Sequence, residues 1–365
     1  MSKVFNFSTY PTFIQNMIDE GKIIYGGTGF FEADSPDLPT EVEHHFPDYT
    51  LYNKYIATLC GTDKKLLKKY SDYTDYSIGY TTRGCFRKCP FCVNRKYSKV
   101  FKHSPVPEFL DQTRKAIYLW DDNFLAADYT IWKPLLQELI DTKQAFQFRQ
   151  GLDERMLAQS PHGEEMAKML SKARYHGDFI FAFDNWRDRD TIEKALKIWK
   201  KHNPKKGTKF YLFCGFKLTE KSHDKFYKDI WELFQRIRVL MSYGCVGYVM
   251  RHEDYHKYEI SNLYIQIARW CNQQQFYKKM SFWQFCYRNQ SYWEENTLNV
   301  NNRPKLKTFE EFEKDVKDGY YEKVKMCLPL KSIIQIFKMF PMRRDDLIEM
   351  FNFTMSELID KSLWE

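Results

Sequence analysis

Six short runs rich in apolar, aromatic and β-branched residues recur along the middle of the chain. They are YSIGYTT (76–82), AIYLW (116–120), AFQFRQG (145–151), FIFAF (179–183), KFYLFCGF (209–216) and VGYVM (246–250). Each has the length and composition of a strand and is followed by an amphipathic or loop segment. The intervening segments carry helical periodicity. Ile192, Ala195, Leu196 and Trp199 recur at i, i+3, i+4 and i+7 behind a capping Asp190, and Phe226, Ile230, Phe234 and Ile237 stripe a segment that stops at Gly244. Ser160 followed by Pro161 predicts another helix start. Alternating strands and helices imply an α/β fold with a parallel sheet. Six units are too few for the usual eight-stranded closed barrel, so an open or partial (β/α)6 TIM-like barrel fits residues 76–272.

Before that core, residues 1–75 contain a helical pattern and then KIIYGGTGFF, where the apolar run Ile23–Tyr25 runs into Gly26, Gly27 and Gly29 as a strand entering a tight turn would. A short N-terminal α/β unit is expected there. Beyond residue 272 strand signals fade. FEEFEKDVKDGYYEKV and LKSIIQIFKMF read as helices, so residues 273–365 are expected to form a helical C-terminal extension. No internal repeat is visible.

Hydrophobic residues at 43% and charged residues at 28% are globular values, and no stretch approaches the roughly 18 uninterrupted apolar residues of a membrane span. The chain starts without an export pattern, so cytoplasm is the expected compartment, and the nine cysteines are expected to be reduced there rather than paired. Aromatic content is high at 18%, but accompanying Lys, Asn and Ile enrichment is what an AT-rich coding sequence produces. The aromatics therefore argue little for stacking on nucleic acid. Net charge is +8 and unevenly spread: residues 1–50 carry 2 basic and 8 acidic side chains, residues 51–115 carry 14 and 5.

The densest chemistry lies in that basic stretch. GCFRKCPFC places Cys85, Cys89 and Cys92 in a C-x3-C-x2-C spacing directly after the first predicted strand. Soft thiolates select zinc, copper(I) or iron–sulfur clusters, and a 4Fe-4S cluster held by three cysteines leaves one iron without a protein ligand. A closed zinc site with His103 as fourth ligand is the bland alternative, although its spacing is atypical of zinc fingers.

With Phe91 before the last cysteine, this motif resembles the signature of the radical S-adenosylmethionine (radical SAM) superfamily over roughly residues 76–272. The resemblance implies a 4Fe-4S cluster on Cys85, Cys89 and Cys92. Its open iron would bind the amine and carboxylate of S-adenosylmethionine, and reductive cleavage would give methionine and a 5'-deoxyadenosyl radical that abstracts hydrogen from a substrate. Against the same family, the second strand ends in Asp121, Asp122 and Asn123, where many members place a Gly-Gly-Glu stretch for the methionine amine. Those glycines are missing here, and a helix-capping role for Asp122 or Asn123 competes. After the third strand, Arg149 or Arg155 is a candidate for the cofactor carboxylate and Gln150 or Asp153 for the ribose hydroxyls, against a plain Asp153–Arg155 salt bridge. Asp184 and Gly215, at later strand ends, are further cofactor candidates, Gly215 because it admits close approach of an adenine ring. IYGGTGF is similar to the glycine turn of the cobalamin-binding domain that precedes the core in many relatives. The segment is too short for that domain and lacks an axial-histidine stretch, so a remnant that packs on the core is expected rather than a cobalamin site.

Three lesser features complete the reading. His252, Glu253 and His256 spell H-E-x-x-H, the zinc-protease helix motif, but they follow a predicted strand. Cys271, Cys286 and Cys327 are far apart for an auxiliary cluster, and the six cysteines outside the motif read as buried small hydrophobes. Arg87, Lys88, Arg95, Lys96, Lys99 and Lys102 form a basic collar around the cysteine loop. Such a collar suits an acidic flavodoxin-type or ferredoxin-type electron donor, the family's usual source of electrons, or the phosphates of a nucleic-acid substrate. The sequence thus predicts a radical SAM enzyme of undefined substrate that needs no membrane. A non-catalytic zinc-bearing nucleic-acid-binding protein is the other class to be distinguished.

Overall fold

The computed structural model describes residues 8–31, 36–297 and 305–360, together with positions 3 and 362. The chain is mixed α/β, and all six predicted strand runs contain strands. In chain order the strands are β1 (Tyr76–Gly79), β2 (Thr82–Arg83), β3 (Phe101–Lys102), β4 (Ala116–Leu119), β5 (Ala145–Phe148), β6 (Phe179–Ala182), β7 (Thr208–Cys214) and β8 (Val246–Arg251). They form a sheet β1-β4-β5, a sheet β6-β7-β8 and a two-stranded ribbon β2-β3. The β1–β4, β4–β5 and β7–β8 pairs are parallel and the ribbon is antiparallel. No closed barrel is present among the described residues.

The chain packs as two compact units. The first comprises residues 1–156 and 160–179, and the second residues 157–159 and 180–365. In the first, period-2 alternation gives the β1-β4-β5 sheet two unlike faces. Ile117, Leu119, Phe146 and Phe148 are wholly buried on one of them, each contributing about 1.5–3 kcal/mol of hydrophobic stabilisation. On the other face Tyr76 and Tyr118 stack at 3.9 Å beside His176.

Tyr49 fastens the N-terminal segment to this sheet. Its hydroxyl accepts the Ile78 N–H at 2.9 Å and donates to Phe109 O at 2.6 Å. The nearly buried Arg114 guanidinium adds bonds to the carbonyls of Tyr49, Tyr73 and Tyr76.

The expected N-terminal strand is not formed. Among the described residues before Tyr76 there are helices, such as Thr12–Asp19 and Asn53–Cys60, and no strand. Ile23–Tyr25 is not assigned to a strand and Ile24 is 93% exposed, while Lys3 N–H donates to Gly26 O and Gly29 N–H to Lys3 O beside it. With Ile24 and Tyr25 exposed, so short a run buries little of the apolar surface that stabilises a strand.

In the second unit, helix His223–Ser242 packs on β7 and β8, and helix Asn262–Cys271 packs on β8 and on helix Leu328–Met339. The C-terminal helices therefore share a core with the sheet. Helix Phe309–Lys317 begins in a reciprocal Thr308–Glu311 capping box, as its sequence spacing allows. Two predicted helix starts shift: Asp188 rather than Asp190 precedes helix Arg189–His202, and the helix after Ser160–Pro161 runs Gly163–Lys172. The Ser160 hydroxyl instead accepts the His162 N–H in a turn. Among the described residues no helix is long and apolar enough to cross a membrane.

Candidate functional site

The three motif cysteines sit at the tip of the β2–β3 ribbon, whose base is closed by the Thr82–Lys102 and Arg83–Phe101 pairs. Gly84 opens the tip with φ +93°, and a Cβ there would lie 2.2 Å from Lys99 O, so glycine is required. Cys85, Cys89 and Cys92 all lie outside disulfides and are partly exposed.

Three successive residues at the end of β4 grip this loop. The Asp121 carboxylate, 1% exposed, accepts both the backbone and side-chain donors of Thr81 and Thr82, at 2.5–3.1 Å. Burial pushes its carboxyl up, opposed by these four bonds. Asp122 accepts Gly84 N–H at 2.7 Å and Asn94 Nδ2–H at 2.9 Å. Asn123 Nδ2 donates to Cys85 Sγ and to Asp153 Oδ2, both at 3.3 Å, while its buried Oδ1 has no hydrogen-bond partner. Backbone donors complete the thiol environment, with Arg87 N–H on Cys85 Sγ at 3.4 Å and Asn94 N–H on Cys92 Sγ at 3.3 Å.

After β5, Asp153 receives Arg87 Nε and Arg155 Nε, each at 2.7 Å. Burial alone would raise this carboxyl, but the two guanidiniums hold it below the usual range. The salt bridge anticipated between Asp153 and Arg155 is present, and it also captures the cysteine loop through Arg87. Gln150 is exposed, and Arg149 lies over the Tyr118 ring with its Nη1 on Gln147 Oε1. Phe91, before the last cysteine, is partly buried.

The remaining cofactor candidates belong to the second unit. Asp184 Oδ1 accepts Phe213 N–H at 3.2 Å, and Gly215 N–H donates to Asp229 Oδ2 at 2.8 Å. Gly215 has φ +78° and Tyr255 against its missing Cβ. Between the ends of β6 and β7 lies the buried Arg236, bonded to the carbonyls of Phe183, Asp184 and Phe213.

No protein-family model matches the chain, and no curated protein does either. The function therefore rests on the residues themselves.

Soft-donor chemistry fits an iron–sulfur cluster at the loop: three thiols, two of them accepting N–H donors of the kind that surround cluster sulfurs. Among the described residues no three His, Cys, Asp or Glu side chains are gathered at metal-binding distance. His103, the possible fourth zinc ligand, already uses Nδ1 on Ser104 and Nε2 on Glu43 and stacks on His44. His252 and Glu253 begin a short 3-10 turn in which His252 caps Asp254 N–H, so H-E-x-x-H is not on an α-helix. Cys327 Sγ lies 3.9 Å from Cys286 O, whereas Cys271 packs against Gly247.

Sequence reasoning missed the β2–β3 ribbon and the use of Thr81, Thr82 and Asn94 as loop anchors. Two-residue strands give no periodicity, and the only available signal was the run of small polar residues before Gly84.

Proposed function

We propose that the chain is a radical S-adenosylmethionine enzyme whose cluster is held by Cys85, Cys89 and Cys92. The observation that carries this reading is the commitment of Asp121, Asp122, Asn123 and Asp153, all at strand ends, to a single loop bearing three thiols. A loop anchored in this way keeps three soft donors on one short segment, the donor set that a cluster with one open iron uses. The fold that accompanies the reading is a partial (β/α)6 barrel with β1 and β4–β8 as its strands.

When bound, a 4Fe-4S cluster would supply an electron and an open coordination site for S-adenosylmethionine. The chain's residues set the conditions. Asn123 and the amides of Arg87 and Asn94 donate to sulfur, which stabilises added negative charge and eases reduction. Asp153 pairs with both Arg87 and Arg155 and keeps both side chains fixed at the loop. Asp122 and Asn123 are the acceptors proposed for the methionine amine, while Asp121 acts as a positioning residue beneath them.

The basic collar narrows once its contacts are known. Arg87 pairs with Asp153, Lys96 with Asp37, and Lys88 donates to the carbonyls of Arg95 and Tyr97. Arg95, Lys99 and Lys102 remain exposed, available to steer an acidic flavodoxin-type or ferredoxin-type donor over the ~10 Å screening length at 0.1 M salt.

The test is product formation. Anaerobically reconstituted, reduced protein is expected to release 5'-deoxyadenosine and methionine from S-adenosylmethionine. Lys99→Glu with Lys102→Glu is expected to slow this reaction several-fold with a flavodoxin at low salt while leaving the rate with dithionite nearly unchanged. Failure to form 5'-deoxyadenosine with either reductant would overturn the function, and equal slowing with both would overturn the docking role.

A further inference from the structure

Most arginines around the β1-β4-β5 sheet have evident counterparts. Arg87 and Arg155 share Asp153, Arg83 lies between Asp122 and Glu43, and Arg114 binds three carbonyls with Asp111 at 3.5 Å. Arg149 differs: among the described residues no carboxylate pairs with it, and its side-chain hydrogen bond is the one from Nη1 to Gln147 Oε1 at 3.1 Å. Its position is nevertheless fixed. Arg149 N–H donates to Leu119 O at 2.7 Å, continuing the β4–β5 pairing one residue past the strand. The guanidinium carbon sits 4.4 Å from the centroid of the Tyr118 ring, with Trp120 at 6.0 Å. Tyr118, only 5% exposed, is itself held by the stacked Tyr76.

A half-buried guanidinium held over an aromatic ring, with one donor on Gln147, keeps further N–H groups of its fixed fork for a planar or tetrahedral oxyanion. Arg149 keeps part of its surface open, and no carboxylate among the described residues competes for its charge. The place is also suitable, because ligands of parallel α/β sheets bind beyond the carboxyl ends of the strands.

We propose that Arg149, positioned by Gln147 and Tyr118, is the anchor for an oxyanion, a carboxylate or phosphate, of the molecule on which the enzyme acts. This rests on the enzymatic reading above and adds a substrate class to it: an anionic substrate recognised on the polar, aromatic face of the first sheet. Arg155, tied to Asp153, does not share this task.

The test labels arginines of the full-length protein with phenylglyoxal and follows each by peptide mass spectrometry, at fixed ionic strength, with inorganic phosphate, acetate or S-adenosylmethionine added. Phosphate or acetate is expected to slow labelling of Arg149 by at least about threefold, as occupancy of a binding site requires, while Arg155 is unaffected. The more protective of the two anions names the group. An Arg149 rate that neither anion changes would overturn the proposal. Protection by S-adenosylmethionine instead would give the guanidinium to the cofactor's carboxylate and overturn the substrate assignment. Iron uptake, measured on the same preparation, reports on the enzymatic reading separately: anion protection in a chain that takes up no iron would leave the subsite standing and remove the radical chemistry.

Discussion

Replacing Cys85, Cys89 and Cys92 together with alanine is expected to reduce iron in the anaerobically reconstituted protein from about four atoms per chain to a small residue, with loss of the brown colour. The fold should survive. The thiols are partly exposed, and Cys85 and Cys92 accept bonds from Asn123 and two loop amides, so their loss removes little of the core. The loop itself is held independently of sulfur, through Asp121 on Thr81 and Thr82 and through Asp122 on Gly84. Circular dichroism and thermal unfolding of the triple variant are therefore expected to match the parent while the iron content does not. Iron retained by the triple variant but lost on replacing Cys286 and Cys327 would place the cluster elsewhere.

The largest stability effect is expected at Arg236. This side chain, 2% exposed on helix His223–Ser242, donates to Phe183 O at 2.8 Å, Asp184 O at 3.1 Å, Phe213 O at 3.0 Å and Glu232 O at 3.2 Å. It thus ties the ends of β6 and β7 to the helix that packs on them. Methionine fills a similar volume but leaves the strand-end carbonyls unsatisfied in a buried place. With each such group costing about 1–3 kcal/mol, Arg236→Met is expected to destabilise the protein by about 3 kcal/mol or more in denaturant unfolding. Arg236→Lys, which can reach fewer acceptors, should fall between. A Met variant within about 1 kcal/mol of the parent would contradict this account of the strand ends.

The six principal strands were legible because buried parallel strands read as short apolar runs, and β7 adds strict alternation, with Phe210, Leu212 and Cys214 buried and Tyr211 and Phe213 less so. Ile23–Tyr25 has a similar local composition but stays largely exposed, and a strand depends on burial against its surroundings more than on its own propensity. The cysteine motif was equally plain, since spacing alone brings three thiols into one loop. What surrounds it was not. Asp121, Asp122 and Asn123 stood out as polar residues at a strand end, yet their contacts with Thr81, Gly84 and Cys85 span 38 to 40 positions, and no local pattern encodes such pairings. Gln147 lies inside the apolar run AFQFRQG, and its bond with Arg149 is apparent only with the side chains in place.

The central claim is that the three cysteines hold a cluster whose open iron receives S-adenosylmethionine. Electron paramagnetic resonance of the reconstituted, dithionite-reduced protein, recorded with and without S-adenosylmethionine, tests it most directly. The account predicts a reduced 4Fe-4S signal whose g-values shift when S-adenosylmethionine is added and which is absent from the Cys85, Cys89 and Cys92 triple alanine variant. A protein that binds zinc and gives no such signal, or a cluster signal that S-adenosylmethionine leaves unchanged, would contradict it.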